Sequence, residues 1–293
     1  MKRREFIRDA ALAGAGITLA SGRGLAGDSP EAAPMREGYA GSGRIYYQVH
    51  GSDKGKPLFL GFPIMASYGQ IFGEDKAAVR GGFLDRLTDR YRVLLVDYPN
   101  VGKTLTPAPA EFTIDRACTD MLAVADAAGF ERFAWWGPAS NGVQIGLALA
   151  ARSKRVSAFV GGGWPPLGAP YDKLLLNGQN QVLNPPPHAM VLLRDKSQYA
   201  QWVTYYESMT HWPEAKAVAS IECPRLLYFP PEYSGSGPGL TFMFADIVRE
   251  HRVELEKAGW RIVELPGEVR DGRVLFDPSV VVPVAREFLD AVT

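Results

Sequence analysis

From about residue 43 onward, the chain alternates short runs that are apolar throughout with longer segments whose apolar residues recur at helical spacing. The run RVLLVDYP (Arg92–Pro99) and the run RVSAFVGGG that begins at Arg155 are of the first kind, and Thr113–Gly129 is of the second. A strand that is apolar on both faces needs cover on both faces, which is the environment of a parallel sheet in α/β proteins. The alternation therefore predicts an α/β fold with a doubly wound, mostly parallel sheet.

Between Trp164 and about Ser220 this alternation stops. The segment contains the proline-rich stretches WPPLGAP and NPPPHAM and two aromatic helical segments, YAQWVTYYESM and WPEAKAVAS. Strands and helices alternate again from CPRLLYF, which starts at Cys223. We therefore predict one domain over residues 37–293 with a helical cap insertion at about 164–220. An insertion after the carboxyl end of a strand lies over the ligand-binding edge of such a sheet, so the cap is expected to cover the site.

The amino terminus has a different composition. MKRREFIRDA is basic, ALAGAGITLA is apolar and small, and small residues follow, which is the order of regions in an export signal. The stretch RREFI at residues 3–7 resembles a bacterial twin-arginine signal. We expect residues 1–27 to be the signal, with cleavage near Ala26, residues 28–36 to be a linker, and the mature protein to be periplasmic or secreted. The alternative is a basic, frayed terminus.

Charge and motif content exclude several classes of partner. Lysine plus arginine equals aspartate plus glutamate at 32 each, and no basic stripe occurs, which argues against nucleic acid as the main partner. After the amino terminus no apolar run approaches the roughly 18 residues of a membrane span. No His/Cys/Asp cluster, G-x-G-x-x-G or complete P-loop occurs, so we expect no metal and no nucleotide cofactor. Cys118 and Cys223 are expected to be free thiols, with a disulfide as the alternative.

The order of sequence landmarks resembles that of the α/β-hydrolase superfamily over nearly the whole chain after about residue 37. PLFLGFP is similar to the strand and oxyanion loop of that family, and RVLLVDYPNVGKT to its D-x-P-G-x-G-x-S turn. IECPRLLYF resembles the strand before the triad acid, and IVELPG the strand before the histidine. The resemblance implies a capped α/β-hydrolase fold with a Ser-His-acid triad, and an oxyanion hole formed by the backbone amides of Phe62 and Asn141.

The family's nucleophile turn usually has the sequence G-x-S-x-G, and the five residues centred on Ser140 are Pro138-Ala139-Ser140-Asn141-Gly142. A proline therefore replaces the first glycine. Ser140 is the expected nucleophile, because Gly142, Gly146 and Ala150 would then form a small-residue face against the sheet. Two alternatives remain: a register centred on Ala139, which has no nucleophile, and a serine that only caps the following helix.

The resemblance is weakest at the triad acid and base. Glu232 is the only carboxylate in the window where the acid is expected, and the alternative is an ordinary surface-loop glutamate. Arg270 stands where the family has its histidine, and arginine cannot accept a proton because its pKa stays above about 12. Arg270 would instead bind an anion, and Glu232 or Glu268 would pair with it or act as the base.

None of the four histidines stands at the expected position. His50 ends an early strand and is expected to be a turn residue, and His251 lies in a charged helix. His188 and His211 belong to the cap, from which one of them would have to reach Ser140 to act as the base.

The cap is rich in aromatic residues, among them Trp164 and Trp212, which together with His211 and Glu268 are candidate substrate-binding residues for an apolar or aromatic small molecule. The alternative is that most of these aromatics form the cap's own core. Three functions follow. The first is a hydrolase acting on an ester, lactone or similar carbonyl compound with an unconventional base. The second is a ligand-binding protein without catalysis, and the third is a lyase or isomerase that does not use covalent attack by the serine.

Overall fold

The computed structural model describes residues 34–41, 44–104, 111–184, 199–237 and 240–293. The predicted signal segment 1–27 and His188 lie outside these ranges.

The core of the fold is an eight-stranded sheet with the strand order β1-β2-β4-β3-β5-β6-β7-β10. Strand β2 is antiparallel to both of its neighbours, and all the other pairs are parallel. The strands are β1 (Arg36–Ala40), β2 (Ile45–His50), β3 (Lys56–Leu60), β4 (Tyr91–Val96), β5 (Phe133–Gly137), β6 (Val156–Gly162), β7 (Arg225–Phe229) and β10 (Trp260–Glu264), with a separate ribbon of β8 (Gly235–Gly237) and β9 (Leu240–Phe242). The predicted mostly parallel sheet is confirmed.

Helices connect the strands. They are α1 (Tyr68–Phe72), α2 (Glu74–Asp85), α3 (Ile114–Ala127), α4 (Ser140–Arg152), α5 (Tyr171–Leu183), α6 (Gln201–Thr210), α7 (Glu214–Ala219), α8 (Phe244–Glu250), α9 (Arg252–Lys257), a 3₁₀ turn (Gly272–Phe276) and α10 (Pro278–Val292).

Two adjacent tryptophans on β5 show that helices cover both faces of the sheet. Trp135 donates its indole N–H to the carbonyl of Gly142 on α4 at 2.8 Å. The ring of Trp136 lies 5.4 Å from that of Phe83 on α2. Because successive side chains of a strand point to opposite faces, α4 and α2 lie on opposite sides of the sheet. Both indoles are fully buried, as expected for a central strand of a doubly wound sheet.

Helices α5, α6 and α7 lie between β6 and β7, where the sequence predicts a cap. They pack through aromatic side chains: the ring of Trp164 lies 6.0 Å from that of Tyr171, which in turn meets the ring of Trp212 edge-on at 6.4 Å. No helix in the described part of the chain is long and apolar enough to cross a membrane.

Two helices, α8 and α9, precede β10 and meet at His251, where the apolar spacing of the sequence alone would allow one longer helix. This residue has ψ near zero (φ −93°, ψ 3°), which ends the first helix. Its imidazole packs closely on Gly168 in the loop before α5: a Cβ atom at Gly168 would lie only 2.7 Å from His251 Nε2. The contact with this loop is tertiary, so the helical periodicity of the sequence does not reveal it.

Candidate functional site

Ser140 lies on a sharp turn between β5 and α4, at the carboxyl edge of the sheet. It has a positive φ of 35°, in the left-handed region that costs an L-residue energy. Ala139, by contrast, is extended and is the N-cap of α4, so Ser140 is the first residue of the helix and does not cap it. The capping alternative is therefore wrong, and the positive φ at Ser140 rather than at Ala139 favours the register centred on the serine. The strained residue is the serine, as in a nucleophile elbow.

Close backbone packing explains the glycines around the turn. A Cβ atom at Gly137 would lie 2.3 Å from the carbonyl carbon of Gly142, and one at Gly142 would lie 2.1 Å from the carbonyl oxygen of Phe62. Gly146 lies one helical turn further along α4, where a Cβ would meet the indole of Trp135 at 2.2 Å. The small-residue face predicted for α4 is thus confirmed at Gly142 and Gly146. Gly137 provides the small residue that the proline of the turn does not.

The loop that carries Phe62, one predicted oxyanion donor, packs against the start of α4, which carries the other. Gly142 brings the start of α4 against Phe62, and Asn141 is 1% exposed. However, the backbone N–H of Phe62 donates a hydrogen bond of 2.9 Å to the hydroxyl of Tyr98, which is fully buried. A substrate oxyanion would have to replace that hydroxyl in order to use the Phe62 amide.

Tyr233 is the titratable side chain on which Ser140 acts, and the sequence does not single it out. Burial raises the pKa of the Tyr233 phenol, and a side-chain hydrogen bond with Ser140 lowers it by less. Its ring is held between two glycines: a Cβ atom would lie 2.7 Å from the ring at Gly163 and 2.8 Å at Gly272. The phenol is therefore neutral at pH 7, and it can donate and accept hydrogen bonds but cannot act as a strong base.

Glu232 and Arg270, predicted near the reacting atoms, form an ion pair with each other at the surface. Arg270 Nε lies 2.6 Å from Glu232 Oε1, with side chains that are 52% and 62% exposed respectively. The backbone also joins the two loops, since Glu232 N–H donates to the Arg270 carbonyl at 2.8 Å. Neither side chain hydrogen-bonds Ser140, and Glu268, beside them, is also exposed.

The histidines within the described ranges lie away from the serine. His211 is exposed at the end of α6, and His251 pairs with Glu254 at 3.3 Å. His50 is buried, and Arg80 Nη2 lies 3.0 Å from its Nε2. Because arginine only donates, His50 Nε2 accepts this bond and the imidazole is neutral. Burial also lowers the pKa of His50 to about 4.

The predicted substrate-binding aromatics are buried against one another. Trp164 is 1% exposed, and its ring lies 4.9 Å from that of Phe244, which packs 5.3 Å from the ring of Tyr233. Trp212 packs on the cap residue Tyr171. Because Trp164 also packs on Tyr171, a continuous aromatic cluster connects Trp212 in the cap to Tyr233.

Cys118 and Cys223 are free, as predicted, although Cys223 is only partly buried. Within the described ranges, no group of three or more His, Cys, Asp and Glu side chains is placed to hold a metal ion.

Comparison with known proteins identifies the fold. No protein-family model matches the sequence, and no curated protein matches it significantly. Solved structures do match, as follows. An α/β hydrolase from Sphaerobacter thermophilus has a TM-score of 0.54 at 18% identity, over 87% of this chain and 100% of that chain. The enol-lactonase from Burkholderia xenovorans has a TM-score of 0.57 at 19% identity, over 84% and 96%. A carboxylesterase from the thaumarchaeon Nitrososphaera gargenis has a TM-score of 0.62 at 17% identity, over 88% and 98%. The chain has the α/β-hydrolase fold.

Proposed function

We propose that this chain is an exported hydrolase that cleaves an ester or lactone at Ser140 without a conventional histidine base. The observation that carries the proposal is the φ of 35° at Ser140. Such a conformation costs about 1–3 kcal/mol and persists where the surrounding structure imposes it, most often at functional sites. The solved enol-lactonase and carboxylesterase of the same fold support an ester or lactone as the substrate class.

In this mechanism Ser140 Oγ attacks the carbonyl carbon as its proton is removed. The backbone amides of Asn141 and Phe62 stabilise the oxyanion, the Phe62 amide once the substrate oxygen has replaced the Tyr98 hydroxyl. Collapse of this intermediate breaks the C–O bond to the alcohol, which leaves as an alkoxide and is protonated by water. Hydroxide then hydrolyses the acyl-serine, which releases the acid and regenerates Ser140.

The Tyr233 hydroxyl orients the serine hydroxyl. Since Tyr233 is neutral at pH 7, we assign removal of the serine proton to hydroxide from solvent. Loss of a triad member in related enzymes costs about three to six orders of magnitude, so turnover is expected to be slow.

The pH dependence of turnover tests this assignment. With hydroxide as the base, the rate should rise about tenfold per pH unit between pH 7 and 9, because no buried base becomes saturated. A histidine base would instead give a plateau above its pKa, near 6 to 7. A plateau of that kind would contradict the mechanism without a histidine.

A second function, ligand binding without catalysis, is favoured by one specific observation. The N–H of Phe62 is already bonded to the Tyr98 hydroxyl, so one oxyanion donor is occupied in this structure. A carbonyl ligand would then rest against Ser140 without being activated for attack.

Serine-directed labelling separates the two functions. The full chain is incubated with a fluorophosphonate and with short p-nitrophenyl esters, beside Ser140→Ala and Tyr233→Phe. The hydrolase requires labelling that is lost in Ser140→Ala, and turnover that falls about tenfold or more in Tyr233→Phe. Tyr91→Phe is the matched control, since Tyr91 is a buried tyrosine at the start of β4 whose hydroxyl donates to Asp290 at 2.5 Å. If there is no labelling, and turnover is no higher than that of Ser140→Ala, the hydrolase proposal is refuted and the binding function is favoured.

Export is tested separately, because residues 1–27 lie outside the described ranges. Replacing Arg3 and Arg4 by lysine should retain the protein in the cytoplasm of a bacterium that has twin-arginine transport, as seen by cell fractionation. Unchanged periplasmic recovery of this variant would contradict the twin-arginine assignment.

A further inference from the structure

Four buried side-chain amides form two hydrogen-bonded pairs, one at the start of α4 and one between the cap helix α6 and the loop after β4. Asn100 Nδ2 donates to Gln201 Oε1 at 2.7 Å, and Asn141 Nδ2 donates to Gln144 Oε1 at 3.2 Å. None of the four residues is more than 1% exposed. We refer to Asn100, Asn141, Gln144 and Gln201 as the amide quartet.

In each pair one nitrogen and one oxygen are joined by a hydrogen bond, and the other two polar atoms are not bonded to any described residue. Asn100 Oδ1, Gln201 Nε2, Asn141 Oδ1 and Gln144 Nε2 have no hydrogen-bond partner in the described part of the chain. A buried polar atom without a partner costs about 1–3 kcal/mol, and more than nine in ten such groups in native proteins are bonded. Two acceptors and two donors so close to a candidate site therefore point to a polar group that binds there.

Contacts between the cap and the elbow bring the two pairs together. Tyr205 lies one helical turn after Gln201 on the same face of α6. The Tyr205 hydroxyl lies near the side chain of Asn141, the residue directly after Ser140, and has no hydrogen-bond partner within the described residues. The quartet thus lies between the cap helix and the start of α4, beside the serine.

The quartet is electrically neutral, and so are the titratable groups that act on the neighbouring Tyr205. Apart from Asn141, the groups that act on Tyr205 are two further tyrosines and Cys118, whose thiol pKa burial raises to about 12. A charged ligand group would lose its hydration there without gaining a counter-ion. A neutral group with both donors and acceptors would be bonded on all sides.

We propose that the amide quartet binds a carboxamide carried by the acyl part of the substrate, an assignment that rests on the proposed function of Ser140. The two glutamine N–H groups donate to the carboxamide oxygen, and the two asparagine oxygens accept from its NH₂. A primary carboxamide offers one carbonyl oxygen with two lone pairs and two N–H donors, which complements the two acceptors and two donors of the quartet; the adjacent Tyr205 hydroxyl, also without a partner in the described ranges, can donate to or accept from the same group.

Matched esters test the assignment on the unmodified full chain. The probes are the p-nitrophenyl esters of succinamic and glutaramic acid, each compared with its apolar isostere (4-methylpentanoate or 5-methylhexanoate) and with the corresponding hemisuccinate or hemiglutarate. For at least one of the two acyl-chain lengths, kcat/KM for the carboxamide ester should exceed kcat/KM for the isostere and for the carboxylate by about tenfold or more. The reason is that neither analogue forms hydrogen bonds with all the unpartnered atoms of the quartet. An isostere or a carboxylate that equals the carboxamide at both lengths would overturn the proposal.

A binding measurement separates this inference from the proposed function. Ser140→Ala is titrated calorimetrically with the methyl esters of the same acids. Preferential binding of the carboxamide without turnover by the unmodified chain would refute the hydrolase and leave the quartet assignment standing. Turnover without any preference for the carboxamide would support the hydrolase and refute the quartet assignment.

Two variants connect the preference to the quartet. Gln144→Met and Gln201→Met each remove one unpartnered donor, and the ratio of carboxamide to isostere kcat/KM should fall about fivefold or more in each. Gln181→Met is the matched control, since Gln181 is a buried glutamine of α5 whose partner is Tyr199. The ratio should not change in this control. An unchanged ratio in a quartet variant that keeps the melting temperature of the control would contradict the assignment.

Discussion

The strain at Ser140 leads to a stability prediction that has a definite sign. Replacing Ser140 by alanine or by glycine removes the hydroxyl in both variants, so comparing the two isolates the effect of the Cβ atom. A positive φ costs an L-residue about 1–2 kcal/mol, whereas glycine adopts it freely. Glycine loses about 0.5–1 kcal/mol more conformational entropy on folding than alanine. The free energy of unfolding of Ser140→Gly should therefore exceed that of Ser140→Ala by about 0.5–1 kcal/mol.

Urea unfolding at 25 °C, followed by the fluorescence of the six tryptophans, measures this difference as a shift in midpoint at constant slope. Ser153, at the other end of α4, provides the control because its φ is an ordinary −138°. There the order should be reversed, and Ser153→Ala should be more stable than Ser153→Gly. If alanine is the more stable replacement at both positions, the elbow is not strained and the main support for the proposed function is lost.

Three further predictions concern other parts of the molecule. Burial lowers the pKa of His50 from 6.5 to about 4. As pH falls, the imidazole is therefore protonated in the unfolded state before it is protonated in the folded state. About 1–3 kcal/mol of stability should be lost between pH 6.5 and pH 4. His50→Gln should lack this component in urea titrations at several pH values; an identical pH dependence would refute the assignment. Gly163→Ala adds a methyl group 2.7 Å from the Tyr233 ring, so this variant should lower both the stability of the fold and ester turnover. Gly267→Ala is the control, since Gly267 also has a positive φ but has open space around it, and it should destabilise the fold less. Equal melting temperatures for the two would show that the ring is free to move. Arg270→Gln removes only an exposed ion pair, so the free energy of unfolding should change by less than about 1 kcal/mol and ester turnover should not change. A large loss of turnover would instead place Arg270 at the reacting atoms.

The sequence determines the fold class of this chain because its signals are local and repeated. Apolar strands such as β4 and β6 cannot be solvated on either face, so their alternation with helices requires a covered parallel sheet. Gly137, Gly142 and Gly146 likewise mark a turn where backbones pack closely, and their spacing locates Ser140 from the sequence alone.

Only the tertiary structure decides which side chain meets Ser140. Glu232 and Tyr233 are neighbours in one loop, and the sequence favours the carboxylate because triads use one. In the fold, the loop turns Glu232 outward to Arg270, while Gly163 and Gly272 leave room for the Tyr233 ring beside the serine. Those two glycines come from different loops, so the space they leave follows from packing between distant segments and from no local pattern.

The amide quartet, too, is formed by packing between distant segments, so the sequence does not reveal it. Asn100 and Gln201 are 101 residues apart in sequence, and each alone is an ordinary polar residue of a turn or a helix. They become a candidate site only when the cap helix α6 is placed over the start of α4, where water no longer reaches their amides. The sequence thus determines the scaffold and the position of the serine, through local periodicity and close backbone contacts. The chemical environment of that serine depends on long-range burial, which only the folded chain defines.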